Sequence, residues 1–113
     1  MVKIKRIYEK PDLGDGLRVL VDRLWPRGLS KERARVDRWL KEVAPSDELR
    51  HWFGHDPARW QEFRTRYLGE LEDKQSLLDD LAKCASDQAV TLLYAARDEA
   101  HNNAVVLKER LEK

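Results

Sequence analysis

The sequence predicts a small α/β domain of three layers, in which a largely parallel sheet is flanked by helices. Residues 17–24 and 89–96 have apolar side chains at both odd and even positions, as expected of strands that are covered on both faces. The chain between them has hydrophobic residues at helical spacing. Strands separated by helices favour a parallel sheet, because parallel neighbours need a long crossover. With 113 residues, we expect residues 1–113 to form a single domain.

The first half of the chain is predicted to hold three strands and one short helix. Residues 2–8 mix apolar and basic side chains, which is typical of a strand near the edge of a sheet. Residues 30–44 are ambiguous, because helical spacing of their apolar residues competes with a strand that Pro45 ends. We favour a short helix near 31–35 and a strand near 37–44.

Helix-start residues divide the second half of the chain. Ser46 is expected to cap a helix that runs to about Phe53. The pair Asp56-Pro57 predicts the start of a long amphipathic helix, because an acid suits the N-cap and proline suits the first helical position. A further amphipathic helix precedes the second buried strand. Asp98 is expected to cap the last helix.

Composition narrows the class of protein. The net charge is only +1, yet residues 1–40 carry eleven Lys and Arg against six Asp and Glu, and residues 41–113 carry eleven against fifteen. This asymmetry suits a local anion site better than a non-specific coat on DNA, although two solvated faces of opposite sign explain it equally well. Cys84 is the only cysteine, so we expect neither a disulfide nor a cysteine-based metal site, and a cytoplasmic location.

Polar side chains follow the predicted strands over residues 17–24, 37–44 and 89–96. In open α/β sheets, ligands bind outside the carboxyl ends of the strands, so we expect these side chains to meet around one cavity. Arginines bind phosphate and carboxylate bidentately, which predicts an anionic ligand, either phosphate or a nucleotide. The candidate binding residues are Arg23, Trp25, Arg27, Ser46, Arg50, Arg97, His101 and Asn102.

Asp22 and Asp98 are the candidate catalytic residues, either of which would orient a reacting group. Asp98 is the candidate general base, since a carboxylate near a buried strand end is expected to have a raised pKa that suits proton abstraction. Structural roles compete with these functional ones. Asp22 and an arginine would then form an internal ion pair, Asp98 would only cap a helix, and Trp25 would pack in the core. His51 and His55 lie four residues apart but have no third ligand, so we predict neither a metal nor a cofactor.

Four blocks of the sequence resemble the YeaO-like proteins of the DUF488 family, and together they span nearly the whole chain. The resemblance implies a small α/β domain of bacteria or archaea with no established activity. The blocks are Arg18–Gly28, then Ala44-Pro45-Ser46 with Leu49-Arg50, then Trp60, Phe63, Tyr67, Glu70 and Leu71, and finally Thr91–Asp98 with Asn102.

Two functions are compatible with these observations. The first is an enzyme or ligand-binding domain that acts on a phosphate-bearing metabolite or nucleotide through an arginine-rich cavity. The alternative is a nucleic-acid-binding or regulatory module that uses the basic N-terminal third, and some relatives carry a MarR-type regulator label. A winged-helix regulator needs a recognition helix and a β-wing, which this pattern of strands does not predict. No membrane partner is expected, and the oligomeric state is left open.

Overall fold

A sheet of four parallel strands forms the centre of the fold, in the order β1–β4–β2–β3. The computed structural model describes residues 1–113. Both apolar runs pair side by side as the two central strands, which confirms the predicted α/β class with its parallel sheet. The strands are β1 (Val2–Arg6), β2 (Leu17–Leu20), β3 (Arg38–Trp39) and β4 (Val90–Tyr94).

Five α-helices and several 3₁₀ turns connect the strands. None of the helices combines the length and the apolar character that crossing a bilayer requires. The predicted caps at Ser46 and Asp56 are confirmed, because each side chain accepts a hydrogen bond from a backbone N–H of the turn that follows it. The helices are α1 (Lys31–Ala34), α2 (Asp47–Phe53), α3 (Trp60–Leu71), α4 (Gln75–Asp87) and α5 (Asn103–Leu111).

The two faces of the sheet are covered unequally. Val19, Val90 and Leu92 point into the main core, which α2, α3, α4 and α5 build with their apolar faces. On the opposite face, Leu20 and Leu93 pack against a small cluster that contains Ala34 of α1. The helical layers that flank the sheet are therefore one thick layer and one thin layer, and loops complete the thin one.

All four strands are shorter than the sequence predicted, and the difference is largest for β2 and β3. β2 ends at Leu20, before the predicted end at residue 24, because the chain turns at Asp22. β3 has only two residues, because the backbone N–H groups of Val43 and Ala44 bond to carbonyls within a 3₁₀ turn, not to β2. The predicted short helix near 31–35 is confirmed as α1.

The thin layer buries an ionic cluster that fixes the start of β2. The Asp15 carboxylate lies 2.5 Å from Arg18 Nη1 and 3.1 Å from Lys5 Nζ, and both Asp15 and Arg18 are buried. Arg18 also donates to the carbonyl groups of Ala34 and Arg35. Burial alone would raise the pKa of Asp15, but hydrogen bonds from the backbone N–H of residue 12, from Lys5 and from Arg18 leave it below its ordinary value of 3.8.

We expect Gly16→Ala to destabilise the fold by about 2–4 kcal/mol. Gly16 has φ 63°, and an added Cβ would lie 2.2 Å from the Ala89 carbonyl oxygen. The matched control is Gly69→Ala inside α3, where an added Cβ meets no atom within 4 Å. That change should stabilise the protein by about 0.5–1 kcal/mol. Urea unfolding measures both values, and equal effects of the two substitutions would contradict this account of the β1–β2 connection.

We expect Asp15→Asn to cost about 3–5 kcal/mol at neutral pH, because it leaves the buried Arg18 and the partly buried Lys5 without their counter-charge. The depressed pKa of Asp15 means that its ion pairs stabilise the wild type above pH 3.8 and that this contribution is lost as the pH falls through the folded-state pKa. The two proteins should therefore converge in acid. Denaturant unfolding across pH measures this convergence.

The control for this prediction is Glu109→Gln, which removes a carboxylate from the more exposed pair with Arg64. It should change stability by less than about 1 kcal/mol. A difference between wild type and Asp15→Asn that stayed constant down to low pH would show that the carboxylate charge is not the stabilising feature.

Candidate functional site

A cavity of about 440 Å³ opens at the carboxyl end of the sheet. Its size lies within the range of small-molecule sites. The segments that follow β1, β2 and β4 line it together with α2, α3 and the start of α5. Of the candidate residues, the structure brings seven to this wall: Asp22, Arg23, Trp25, Arg27, Arg50, His101 and Asn102.

The Asp22 carboxylate lies in the wall of the cavity and joins several elements there. Its Oδ2 accepts a hydrogen bond from the Ala95 N–H at 2.9 Å, and its Oδ1 accepts one from Asn103 Nδ2 at 3.2 Å. The Asp22 carbonyl accepts a bond from Trp39 Nε1 at 2.8 Å. The side chain thus continues the pairing of β2 with β4 where the backbone pairing stops after Val21.

Asp22 has no ion-pair partner, so the alternative of an internal pair with an arginine is not what the structure shows. Burial raises the pKa of Asp22 above its ordinary value of 3.8, because the charged form loses its hydration. The hydrogen bonds from Ala95 and Asn103 and the charges of Arg50 and His55 oppose this shift without cancelling it. A raised pKa, which we expected for Asp98, is therefore found at Asp22.

Aromatic rings form much of the remaining wall. Phe53 and Phe63 stack with centroids 4.3 Å apart. Trp25 packs edge to face with Trp39 at 5.5 Å and donates to the Leu29 carbonyl, so it is both a packed residue and a wall residue. Tyr8 is 41% exposed at the mouth. Phe53 and Phe63 belong to the buried core behind the cavity, so Tyr8 and Trp25 supply the aromatic surface that a ligand ring can contact.

Two arginines of the wall share one exposed acid. Arg50 Nη2 lies 3.2 Å from Asp47 Oδ1, and Arg23 Nε lies 3.6 Å from the same oxygen. Arg50 Nε is buried and has no hydrogen-bond partner. Arg23 reaches the Pro45 carbonyl only at 3.4 Å. One partly exposed carboxylate thus serves two guanidinium groups, and both retain capacity for a further acceptor.

Arg27 is the least committed cation of the wall. Its side chain makes no ion pair and no hydrogen bond within the protein, while its backbone carbonyl accepts a bond from Tyr8 Oη at 2.9 Å. That bond fixes the loop and leaves the guanidinium free. A free guanidinium beside two under-committed ones gives the wall an excess of positive charge over Asp22 and Asp47.

Asp98 and His101 form a pair on one side of the cavity. Asp98 Oδ2 lies 2.8 Å from His101 Nδ1, and Oδ1 accepts bonds from the Ala100 and His101 N–H groups. These bonds, led by the one from the imidazole, lower the pKa of Asp98, so the raised pKa expected for it is wrong. Because an ionised carboxylate can only accept hydrogen bonds, His101 Nδ1 carries the proton in this contact.

The cap of α5 is Asn102, not Asp98 as the sequence predicted. The Asn102 side chain accepts a bond from the Val105 N–H, and its amide donates to the Asp98 carbonyl. Asp98 instead holds the loop before the helix. Asparagine suits this position because its short amide can close the turn in both directions. The Asn102 side chain is therefore bonded to the backbone on both sides of it, at the wall of the cavity.

The structure does not bring Ser46 or Arg97 into this cavity. The Ser46 hydroxyl and N–H both donate to the Glu70 carboxylate, at 2.6 and 2.8 Å. The Glu70 carboxylate thus already occupies the N-terminus of α2, where an anionic ligand would otherwise bind. Arg97 and Asp98 line a second, open hollow next to the cavity.

Sequence reasoning missed Tyr8, His55 and Asn103 as wall residues. Tyr8 was predictable, because β1 is parallel to the other strands and its carboxyl end meets the same edge. Asn103 was signalled by two asparagines in succession, of which only the first was selected. His55 depends on a turn in which it has φ 56°, and no pattern in the sequence indicates that turn. No group of three metal-ligating side chains is present.

Comparison with known proteins gives a consistent set of relatives. The family model described as "Inactive DUF488-N3 subclade" matches residues 1–113. An uncharacterized protein of Mycobacterium tuberculosis is 46% identical over 110 residues, which cover 97% of this chain and 92% of the relative. The uncharacterized protein YeaO of Escherichia coli is 42% identical over 110 residues, covering 97% and 96%. No solved structure matches the chain significantly.

We expect Asn103→Ala to raise the pKa of Asp22 further, because the amide hydrogen bond that favours the carboxylate is lost. A carbon-detected NMR titration of the side-chain carboxyl groups measures this pKa. The pKa of Asp98 is the internal control and should not move, since its partners are His101 and backbone N–H groups. An unchanged or lowered pKa of Asp22 would contradict the assigned contact.

Proposed function

Because the chain belongs to the DUF488 family, we propose that it binds a small phosphate-bearing ligand, a nucleotide, in the cavity at the strand ends without converting it. The observation that carries this proposal is the composition of the wall. Arg23, Arg27 and Arg50 line a space that aromatic rings and one partly buried carboxylate, Asp22, also line. A nucleotide presents the matching groups, which are a phosphate, a flat ring and hydroxyl donors.

The phosphate end of the ligand is best accommodated by the arginines. Guanidinium groups hold phosphate through charge-assisted bidentate hydrogen bonds, which are stronger than neutral ones. Arg27 needs no rearrangement to do this, because it has no partner to give up. Arg23 and Arg50 would exchange a shared, exposed carboxylate for the ligand.

The nucleoside part of the ligand is best accommodated by the aromatic and acidic residues of the wall. Tyr8 and Trp25 supply accessible ring surface on which a base can pack. Asp22 supplies an acceptor for a hydroxyl or amino group of the ligand, and its unpaired negative charge disfavours a phosphate next to it. The wall thus offers a different group to each part of one nucleotide.

Binding without chemistry agrees with the description of the matching subclade as inactive. It also agrees with the condition of the two candidate catalytic acids. Asp98 has a lowered pKa, and both of its carboxylate oxygens already accept hydrogen bonds, so it is a poor base. Both oxygens of Asp22 already accept bonds that hold β2, β4 and α5 together. Asp98 thus acts as a structural group, and Asp22 acts both as a structural group and as a ligand acceptor.

We expect AMP to raise the melting temperature of the wild type and to have at least a tenfold lower affinity for Arg27→Ala, since a hydrogen bond to a charged group contributes about 1.5–3 kcal/mol. Differential scanning fluorimetry measures the shift, and calorimetry measures the affinity. Anion-exchange chromatography should show that AMP is recovered unchanged.

Arg33→Ala is the matched control, because Arg33 lines a separate surface hollow and the substitution changes the net charge equally. It should bind AMP like the wild type. The absence of any shift across the common nucleotides would refute the proposal. Duplex DNA that binds the wild type and is lost with Arg33→Ala would instead support the basic N-terminal third as a nucleic-acid surface.

A further inference from the structure

We infer that the natural ligand is a dinucleotide, two nucleotide units joined through phosphate, whose second unit lies in the hollow beside the cavity. This inference rests on the proposed function, because it extends the same site. The hollow has a volume of about 770 Å³, larger than that of the cavity itself. A mononucleotide that filled the cavity would leave this adjoining space open.

The cavity and the hollow adjoin each other. Four residues line both of them, namely Tyr8, His55, Ala95 and Ala96, so the two spaces are neighbours along these residues. The shared backbone at residues 95–96 follows β4, the central strand whose carboxyl end opens the site. A ligand that leaves the cavity along this backbone enters the hollow directly.

The hollow carries two cations that form no ion pair with any acid of the chain. Arg97 is exposed and makes neither an ion pair nor a hydrogen bond. Arg6 donates from Nε to the Ala96 carbonyl at 3.1 Å, which leaves its two terminal nitrogens free. The only carboxylate in the hollow, Asp98, is already bonded to His101 and to two backbone N–H groups. A second anionic group is therefore the chemistry that this hollow fits.

Tyr8 stands between the two spaces and is held in place. Its hydroxyl donates to the Arg27 carbonyl, and the Arg6 guanidinium lies 4.8 Å from the centroid of its ring. A fixed, partly exposed aromatic ring next to arginines suits a base or the linkage between two nucleotides. Tyr8 thus contacts both Arg27, which lines the cavity, and Arg6, which lines the hollow.

The experiment compares AMP with the linear dinucleotide pApA by calorimetry on wild type, Arg97→Ala and Arg27→Ala. We expect pApA to bind the wild type at least about tenfold more tightly than AMP, since one extra charge-assisted contact contributes at least this factor. Arg97→Ala should remove that advantage and leave AMP affinity unchanged. Arg27→Ala should weaken both ligands. Diadenosine diphosphate in place of pApA distinguishes a pyrophosphate linkage from a phosphodiester.

The outcomes separate the two proposals. If AMP binds but neither dinucleotide binds more tightly, or if Arg97→Ala weakens AMP as much as pApA, the dinucleotide inference is overturned while the nucleotide cavity stands. If none of the three ligands binds, the proposed function itself fails. Arg33→Ala controls for the loss of one positive charge and should leave all affinities unchanged. Arg97→Lys should keep part of the dinucleotide advantage, because it keeps the charge.

Discussion

The carboxyl end of the sheet depends on one partly buried carboxylate. Where the backbone pairing of β2 ends after Val21, the Asp22 carboxylate accepts hydrogen bonds from the Ala95 N–H after β4 and from Asn103 at the start of α5. The Asp22 backbone carbonyl accepts a bond from Trp39 of the edge strand. Removing this charge from water is unfavourable and raises the pKa of Asp22. The cost is tolerated because the same residue joins the ends of β2, β3 and β4 to α5 and presents an acceptor to the cavity.

The excess of positive charge in the first 40 residues is divided between two tasks. Lys5 and Arg18 neutralise the buried Asp15 and fix the start of β2 in the thin layer of the fold. Arg23 and Arg27 follow the other end of the same strand and stand in the cavity wall. One strand therefore carries a closed ionic cluster at its beginning and open cations at its end. Burial and satisfied hydrogen bonds make the first set structural, and exposure leaves the second set available for a ligand.

Much of this arrangement was predictable from the sequence. Two apolar runs and the helical spacing between them predicted the parallel sheet, and the rule that ligands bind at strand carboxyl ends predicted which side chains meet. Pairwise contacts were not predictable. Nothing in the sequence indicates that Glu70 occupies the N–H and hydroxyl of Ser46, or that Asn102 and not Asp98 caps α5. Such contacts depend on how distant segments pack, which local propensity and periodicity do not determine.

The central claim is that the ends of β2 and β4 and the neighbouring arginines form one ligand-binding surface. An NMR titration of isotope-labelled protein with AMP tests it most directly. The account predicts that the backbone signals of Asp22, Ala95 and Ala96 and the side-chain Nε–H signals of Arg27 and Arg50 shift together and saturate with a single dissociation constant. Shifts that never saturate, or that concentrate on α1 and leave these signals unmoved, would contradict it.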